Sequence, residues 1–172
     1  MLLCGTAHGD KLNVQREKCI HFDQRPTGIA IDTIVLHASE RNSLEELTTI
    51  FNHKDFPVSA HYAIDKQGKI IQYLDDSLRA WHAGQSKNLD GREHVNDFSI
   101  GIELINKNDG LDPYPDKQVL SLRALISELL QRHPISLLTT HRRIAFPLGR
   151  KTDPRSFPFK NLGSFQNLKI VP

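Results

Sequence analysis

The strongest constraint on the fold is an alternation of patterns: short β-branched apolar runs punctuated by stretches with helical spacing. Residues 31–36 read Ile-Asp-Thr-Ile-Val-Leu, which suits a strand buried in a sheet and delivers His37 at its end. Ser43-Leu-Glu-Glu46 then forms a capping box that opens a helix, with Leu44, Leu47, Ile50 and Phe51 on one face and an end near His53, ahead of Pro57. Residues 61–65 and 70–74 flank the turn Lys66-Gln-Gly-Lys69 and read as a hairpin, Gly68 supplying the turn conformation. Residues 99–105 form a further strand. The most regular helix spans Asp116–Arg132, where Val119, Leu120, Leu122, Leu125, Ile126, Leu129 and Leu130 recur at helical spacing and Pro134 stops the run. Leu137–Thr140 is a short strand ending in His141, and residues 142–158, rich in Pro and basic side chains, read as loop. Strand, helix, three strands, helix, strand predicts an α/β fold with a mixed central sheet flanked by helices.

A chain of 172 residues with 38% hydrophobic content closes one core around one sheet and is short for two, so residues 1–172 are expected to form a single domain. Lys and Arg total 22 against 20 Asp and Glu, and no basic run marks a nucleic-acid or membrane-binding strip. No apolar stretch approaches the ~18 residues of a membrane span. Residues 1–5, Met-Leu-Leu-Cys-Gly, are too short and lack the positive lead of a secretion signal, which makes a cytoplasmic address the expectation. Cys4 and Cys19 both precede the first strong strand without metal-ligand spacing, and are read as two free thiols.

Histidines at strand ends attract attention because side chains there emerge at the sheet edge and converge across neighbouring strands. His37 and His141 both hold such positions, and Asp153 follows in a loop that can return to the same point. Two imidazoles and one carboxylate suffice for a catalytic zinc with a fourth position open. On spacing alone two surface histidines and a solvated Asp are the better reading, since neither His-Glu-x-x-His nor Cys-x-x-Cys occurs.

More specific are six segments in fixed order: Val35-Leu-His37, Val58-Ser-Ala-His-Tyr62, Ala80-Trp-His-Ala-Gly84, Asn96-Asp-Phe-Ser-Ile-Gly-Ile-Glu-Leu104, Thr140-His141 and Arg150-Lys-Thr-Asp-Pro154. Together they resemble the type 2 N-acetylmuramoyl-L-alanine amidase family, over residues 31–158. That resemblance implies zinc held by His37, His141 and Asp153, Glu103 as the general base acting on water, and Lys151 facing the developing oxyanion. It implies hydrolysis of the amide between N-acetylmuramic acid, or its 1,6-anhydro form, and L-alanine, with a peptidoglycan fragment or muropeptide as substrate. Trp81 and His82 are expected as substrate-groove contacts, and of His61 and Tyr62, which alternate on a strand, only one faces the cleft. Two departures stand out. Ala60 occupies the place of a catalytic Tyr in phage-type members, and His94, with Arg92 two residues earlier, stands where the recycling branch tends to place a carboxylate-binding Arg. The alternatives are a lytic amidase acting on intact wall, exported or released at lysis, and a non-catalytic peptidoglycan-binding module. Retention of all three ligand positions disfavours the second.

Overall fold

The computed structural model describes residues 12–172. Cys4 and the segment 1–5 lie outside the described residues. Among the described residues nine strands form in chain order: β1 (Val14–Arg16), β2 (Phe22–Gln24), β3 (Thr33–Ala38), β4 (Tyr62–Ile64), β5 (Ile70–Gln72), β6 (Leu78–Ala80), β7 (Ser99–Leu104), β8 (Leu137–Thr140) and β9 (Lys169–Ile170). Helices are α1 (Leu44–Phe51), α2 (Asp116–Arg132) and α3 (His141–Ile144). Seven strands make one sheet in the order β1-β5-β4-β7-β3-β8-β9, and β2 pairs with β6 apart from it. The pairs β4·β7, β7·β3, β3·β8 and β8·β9 are parallel and β4·β5 is antiparallel. The sheet is therefore mixed, as the order of elements predicts.

Alternation along the central strands divides the molecule. Ile34, Leu36, Tyr62, Ile64, Ile100, Ile102, Leu104 and Leu138 point to one face, where Leu122, Leu125, Ile126 and Leu129 of α2 close the main core. Each such side chain contributes roughly 1.5–3 kcal/mol by leaving water. Gln118 anchors α2 to the sheet, its fully buried amide donating to Ile64 O at 2.9 Å and Ile105 O at 3.2 Å. On the opposite face α1 packs Leu44, Leu47 and Phe51 over Ala63, Ile71 and Ile105. Ser43 caps α1 by accepting from Glu46 N at 3.3 Å, but the Glu46 carboxylate returns to Asn42 N at 2.9 Å, one residue earlier than the capping box predicts.

The loop expected from residue 142 onwards instead begins with α3, because Thr140 caps it, accepting from Arg143 N at 3.3 Å. The irregular stretch between residues 75 and 97 holds β6 and a 3-10 turn, Val95–Asp97. Cys19 is buried, its thiol donating to Phe51 O at 3.4 Å.

Candidate metal centre and active site

Parallel pairing of β3 with β7 sets His37 opposite Glu103, and pairing of β4 with β7 sets Ala63 opposite Glu103. Paired residues in a parallel sheet project to the same side, so His37 and Glu103 emerge together on the face away from α2. β8 brings its successor His141 alongside. Asp153 arrives from the following loop, fastened by Arg142 N donating to Asp153 O at 2.9 Å. Asn108 secures the rim, donating to Glu40 Oε1 and Thr152 Oγ1, each at 3.2 Å, and accepting from Arg155 N at 2.8 Å.

Three ligating atoms converge. His37 Nδ1 lies 3.0 Å from His141 Nδ1 and 3.4 Å from Asp153 Oδ2, and His141 Nδ1 lies 3.2 Å from Asp153 Oδ2. Atoms placed tetrahedrally about a zinc ion at 2.0–2.2 Å stand about 3.3–3.5 Å from one another. The observed triangle is close to that edge length, and all three residues are buried, so the donor set fits the ion. Glu103 Oε1 sits 4.0 Å from His37 Nδ1, and its Oε2 is buried without a hydrogen-bond partner.

The electrostatics follow from this burial. Desolvation holds His37 down at about 4, with the neighbouring His141 acting the same way. Burial opposes charge on Asp153, but the adjoining His141 and His37 imidazoles outweigh it and hold the carboxyl well below the ordinary range. Glu103 is pushed up to about 8, first by burial and then by Asp153, while Lys151 and Arg41 act against the rise. Burial also drives His82 far below its ordinary value, with His37, His61 and His141 adding to it.

A cleft of about 190 Å³ opens over this cluster, lined by His37, His82, Glu103, His141, Lys151 and Asp153, with Arg41, Val58, Ser59 and Trp81 along its walls. Trp81 is half-buried there, its backbone N–H donating to Ser59 Oγ at 2.7 Å and its ring 5.7 Å from that of His21. His82 lines the cleft at 7% exposure, with Nδ1 engaged by His37 and Nε2 by Ser99.

Two expectations are corrected by placement. His61 has no exposed surface: its Nδ1 accepts from Gly101 N at 3.0 Å, and Nε2 meets Arg25 at 2.9 Å and Leu78 O at 3.1 Å. Its partner in the alternation, Tyr62, points into the α2 core, so neither reaches the cleft. Arg92 lines a separate depression, paired with Asp32 at 2.9 Å and Asp90 at 2.7 Å over the Phe98 ring. Sequence reasoning passed over Arg41, Ser99 and Gly101. A Cβ at Gly101 would stand 2.5 Å from His82 Cγ, and that absence of side chain is the one available signal, a glycine inside a strong strand.

With this geometry in hand, the model of the family described as N-acetylmuramoyl-L-alanine amidase matches residues 27–156. The chain belongs to that family, and its chemistry is hydrolysis of the muramoyl–L-alanine amide. It is 37% identical over 131 residues to the 1,6-anhydro-N-acetylmuramyl-L-alanine amidase AmpD of Haemophilus influenzae, covering 66% of this chain and 70% of that protein. Against AmpD of Enterobacter cloacae it is 36% identical over 153 residues, covering 79% and 78%. A crystal structure of AmpD superposes with a TM-score of 0.77 at 34% identity, covering 87% of this chain and 92% of the other. The amidase AmiD from E. coli, solved with anhydro-N-acetylmuramic acid-L-Ala-D-gamma-Glu-L-Lys, gives 0.67 at 28% identity over 81% of this chain and 59% of its own.

Proposed function

We propose that the chain is a zinc-dependent amidase of soluble anhydro-muropeptides, acting inside the cell on wall fragments. The observation that carries this reading is the triangle of His37 Nδ1, His141 Nδ1 and Asp153 Oδ2 with the unpartnered Glu103 carboxyl beside it in one cleft. His37, His141 and Asp153 hold the metal, which when bound supplies Lewis acidity towards water and the amide carbonyl. Glu103 takes the proton of the attacking water on its free carboxylate oxygen and returns it to the departing alanine nitrogen, so that the amine leaves neutral. Glu103 performs this role in its ionised form, which a dication held by its neighbours would favour. Lys151, two residues before Asp153, keeps its ammonium against the carbonyl oxygen as negative charge grows there.

Arg41 takes the place of Arg92 as the anchor for the peptide. The γ-linkage in the ligand solved with AmiD leaves the α-carboxylate of the glutamyl residue free, close after the scissile bond. Arg41 and Lys151 are the cations lining the cleft, whereas Arg92 is already paired with two carboxylates elsewhere. Bidentate geometry suits a guanidinium to that carboxylate. The decisive comparison is turnover of a soluble anhydro-muropeptide against purified sacculi. Preference for sacculi would replace the recycling reading with a lytic one, and stoichiometric zinc with no turnover of either would favour a binding module.

A further inference from the structure

The histidine of the Trp-His-Ala-Gly segment makes contacts that the chemistry above does not use. His82 Nδ1 lies 3.0 Å from His37 Nε2, and its Nε2 lies 3.1 Å from Ser99 Oγ. Ser99 Oγ in turn lies 2.6 Å from Val95 O. Proton positions along this chain follow from its last member. A carbonyl oxygen only accepts, so the single hydroxyl proton of Ser99 is given to Val95 O. Ser99 Oγ can then only accept from His82 Nε2–H, which leaves His82 Nδ1 with a lone pair. His37 must therefore carry its proton on Nε2, and its Nδ1 presents a lone pair to the ligand triangle.

We propose that His82 is a positioning residue that sets the tautomer and ring angle of the metal ligand His37 through the relay Val95–Ser99–His82, a proposal that rests on His37 being a ligand. The surroundings of His82 are built for this. Its own backbone N–H and that of Ala83 donate to Asn96 Oδ1 at 3.2 and 2.9 Å, fixing the segment. The ring stands edge-on to that of His37, with centroids 5.1 Å apart and planes at 88°. Gly101 leaves the space the ring fills, since an added Cβ would lie within 2.9 Å of three of its atoms. The same segment serves the second imidazole: His141 Nε2 lies 3.3 Å from Ala83 O, which also leaves Nδ1 as the ligating atom, and Arg150 donates to that oxygen at 3.0 Å. Hydrogen bonds of this kind to ligating histidines raise their basicity and hold their orientation.

The test is zinc affinity by competition with a chromophoric chelator, together with long-range ¹H–¹⁵N correlations of the histidine rings, on the parent, His82→Ala, His82→Asn and His37→Ala. Loss of an outer partner of a metal ligand typically weakens metal binding by about 10–100-fold, and that loss is expected for His82→Ala. His82→Asn, whose side-chain oxygen can accept from His37 Nε2–H, should recover most of the affinity. In the zinc-loaded parent the His37 ring should show a protonated Nε2 and a coordinated Nδ1. If His82→Ala does not fold, Ser99→Ala breaks the relay one step earlier, and a smaller loss in the same direction is expected. Parent-like affinity with an unchanged His37 ring signature in His82→Ala, or in Ser99→Ala if it is needed, overturns the proposal. A parent that takes up no zinc, or a His37→Ala protein that keeps it, overturns the ligand assignment and the proposal with it.

Discussion

Replacing Glu103 with Gln should shift the stability of the metal-free protein in the variant's favour as pH rises, while disabling the enzyme, and the stability half can be worked from burial alone. The carboxyl is pushed from an ordinary 4.5 up to about 8, chiefly by desolvation, with Asp153 adding. Because the folded-state value lies above the unfolded one, the contribution is favourable and fully present below pH ~4.5, then is lost as pH rises through 8. At 1.36 kcal/mol per pKa unit, the displacement from 4.5 to about 8 limits the penalty to about 5 kcal/mol when both states are ionised. Relaxation and water entry reduce this, so roughly 2–4 kcal/mol is expected. Gln removes the ionisation, but its amide inherits the site of the unpartnered Oε2, at a pH-independent cost of about 1–3 kcal/mol. The change in the mutational effect between pH 5 and pH 8.5 isolates the electrostatic part. Urea unfolding of parent and Glu103→Gln in the presence of a chelator, at both pH values, measures it directly. The variant should gain on the parent by at least about 2 kcal/mol on going to pH 8.5, and added zinc should shrink that gain. Parallel stability curves at the two pH values would refute the account of Glu103 as a strained, desolvated acid. In the zinc-loaded enzyme the same substitution should lower kcat by about 10²-fold or more with zinc content unchanged.

Lys151→Met should lower kcat and kcat/KM together, by roughly 2–4 kcal/mol in barrier, with KM and zinc occupancy little altered; a raised KM at constant kcat would instead make Lys151 a substrate anchor. His37→Ala should abolish stoichiometric zinc while leaving a cooperative unfolding transition, since the α2 face of the sheet carries the main core, and metal analysis beside circular dichroism checks both. Arg41→Ala should raise KM by about tenfold or more for a muropeptide with a free glutamyl α-carboxylate, and amidation of that carboxylate in the substrate should erase the difference. Arg92→Ala should leave KM unchanged, and a shift there as large as at Arg41 would return the anchoring role to Arg92.

The strands and helices that bury large apolar side chains were legible in the sequence because burial forces period. Residues 99–105 alternate across two buried faces, and α2 repeats every three to four residues, so each announces itself. The edge strands β1, β2 and β9 did not, being two or three residues long and partly exposed, with Gln15, Arg16 and Lys169 in them. Their identity depends on partners far along the chain rather than on local composition. The metal cluster was foreshadowed by strand ends, but its assembly depends on register: a one-residue slip of β3 against β7 would turn either His37 or Glu103 into the α2 core. His61 was read as a cleft contact because it follows a segment that borders the cleft, and only the backbone path shows that its nitrogens meet Gly101, Arg25 and Leu78. Arg92 lies beside Asp32 at the start of β3, the end of the strand opposite His37, and sequence distance from Asn96 does not show which end the chain passes.

The division of the central strands into two faces has a bearing on how such an enzyme changes over generations. In β3, β4, β7 and β8, the even-numbered residues Ile34, Leu36, Tyr62, Ile64, Ile100, Ile102, Leu104 and Leu138 build the core under α2. The odd-numbered Val35, Ala63, Ser99, Gly101, Glu103 and Thr139 point the other way, as does His37. Substitutions on faces that share no partners are close to additive in free energy. Parity thus gives each strand two separable hereditary tasks. A lineage can drift through alternative aliphatic packings at even positions without disturbing a metal ligand, and can reshape its cleft at odd ones while the core under α2 is left alone.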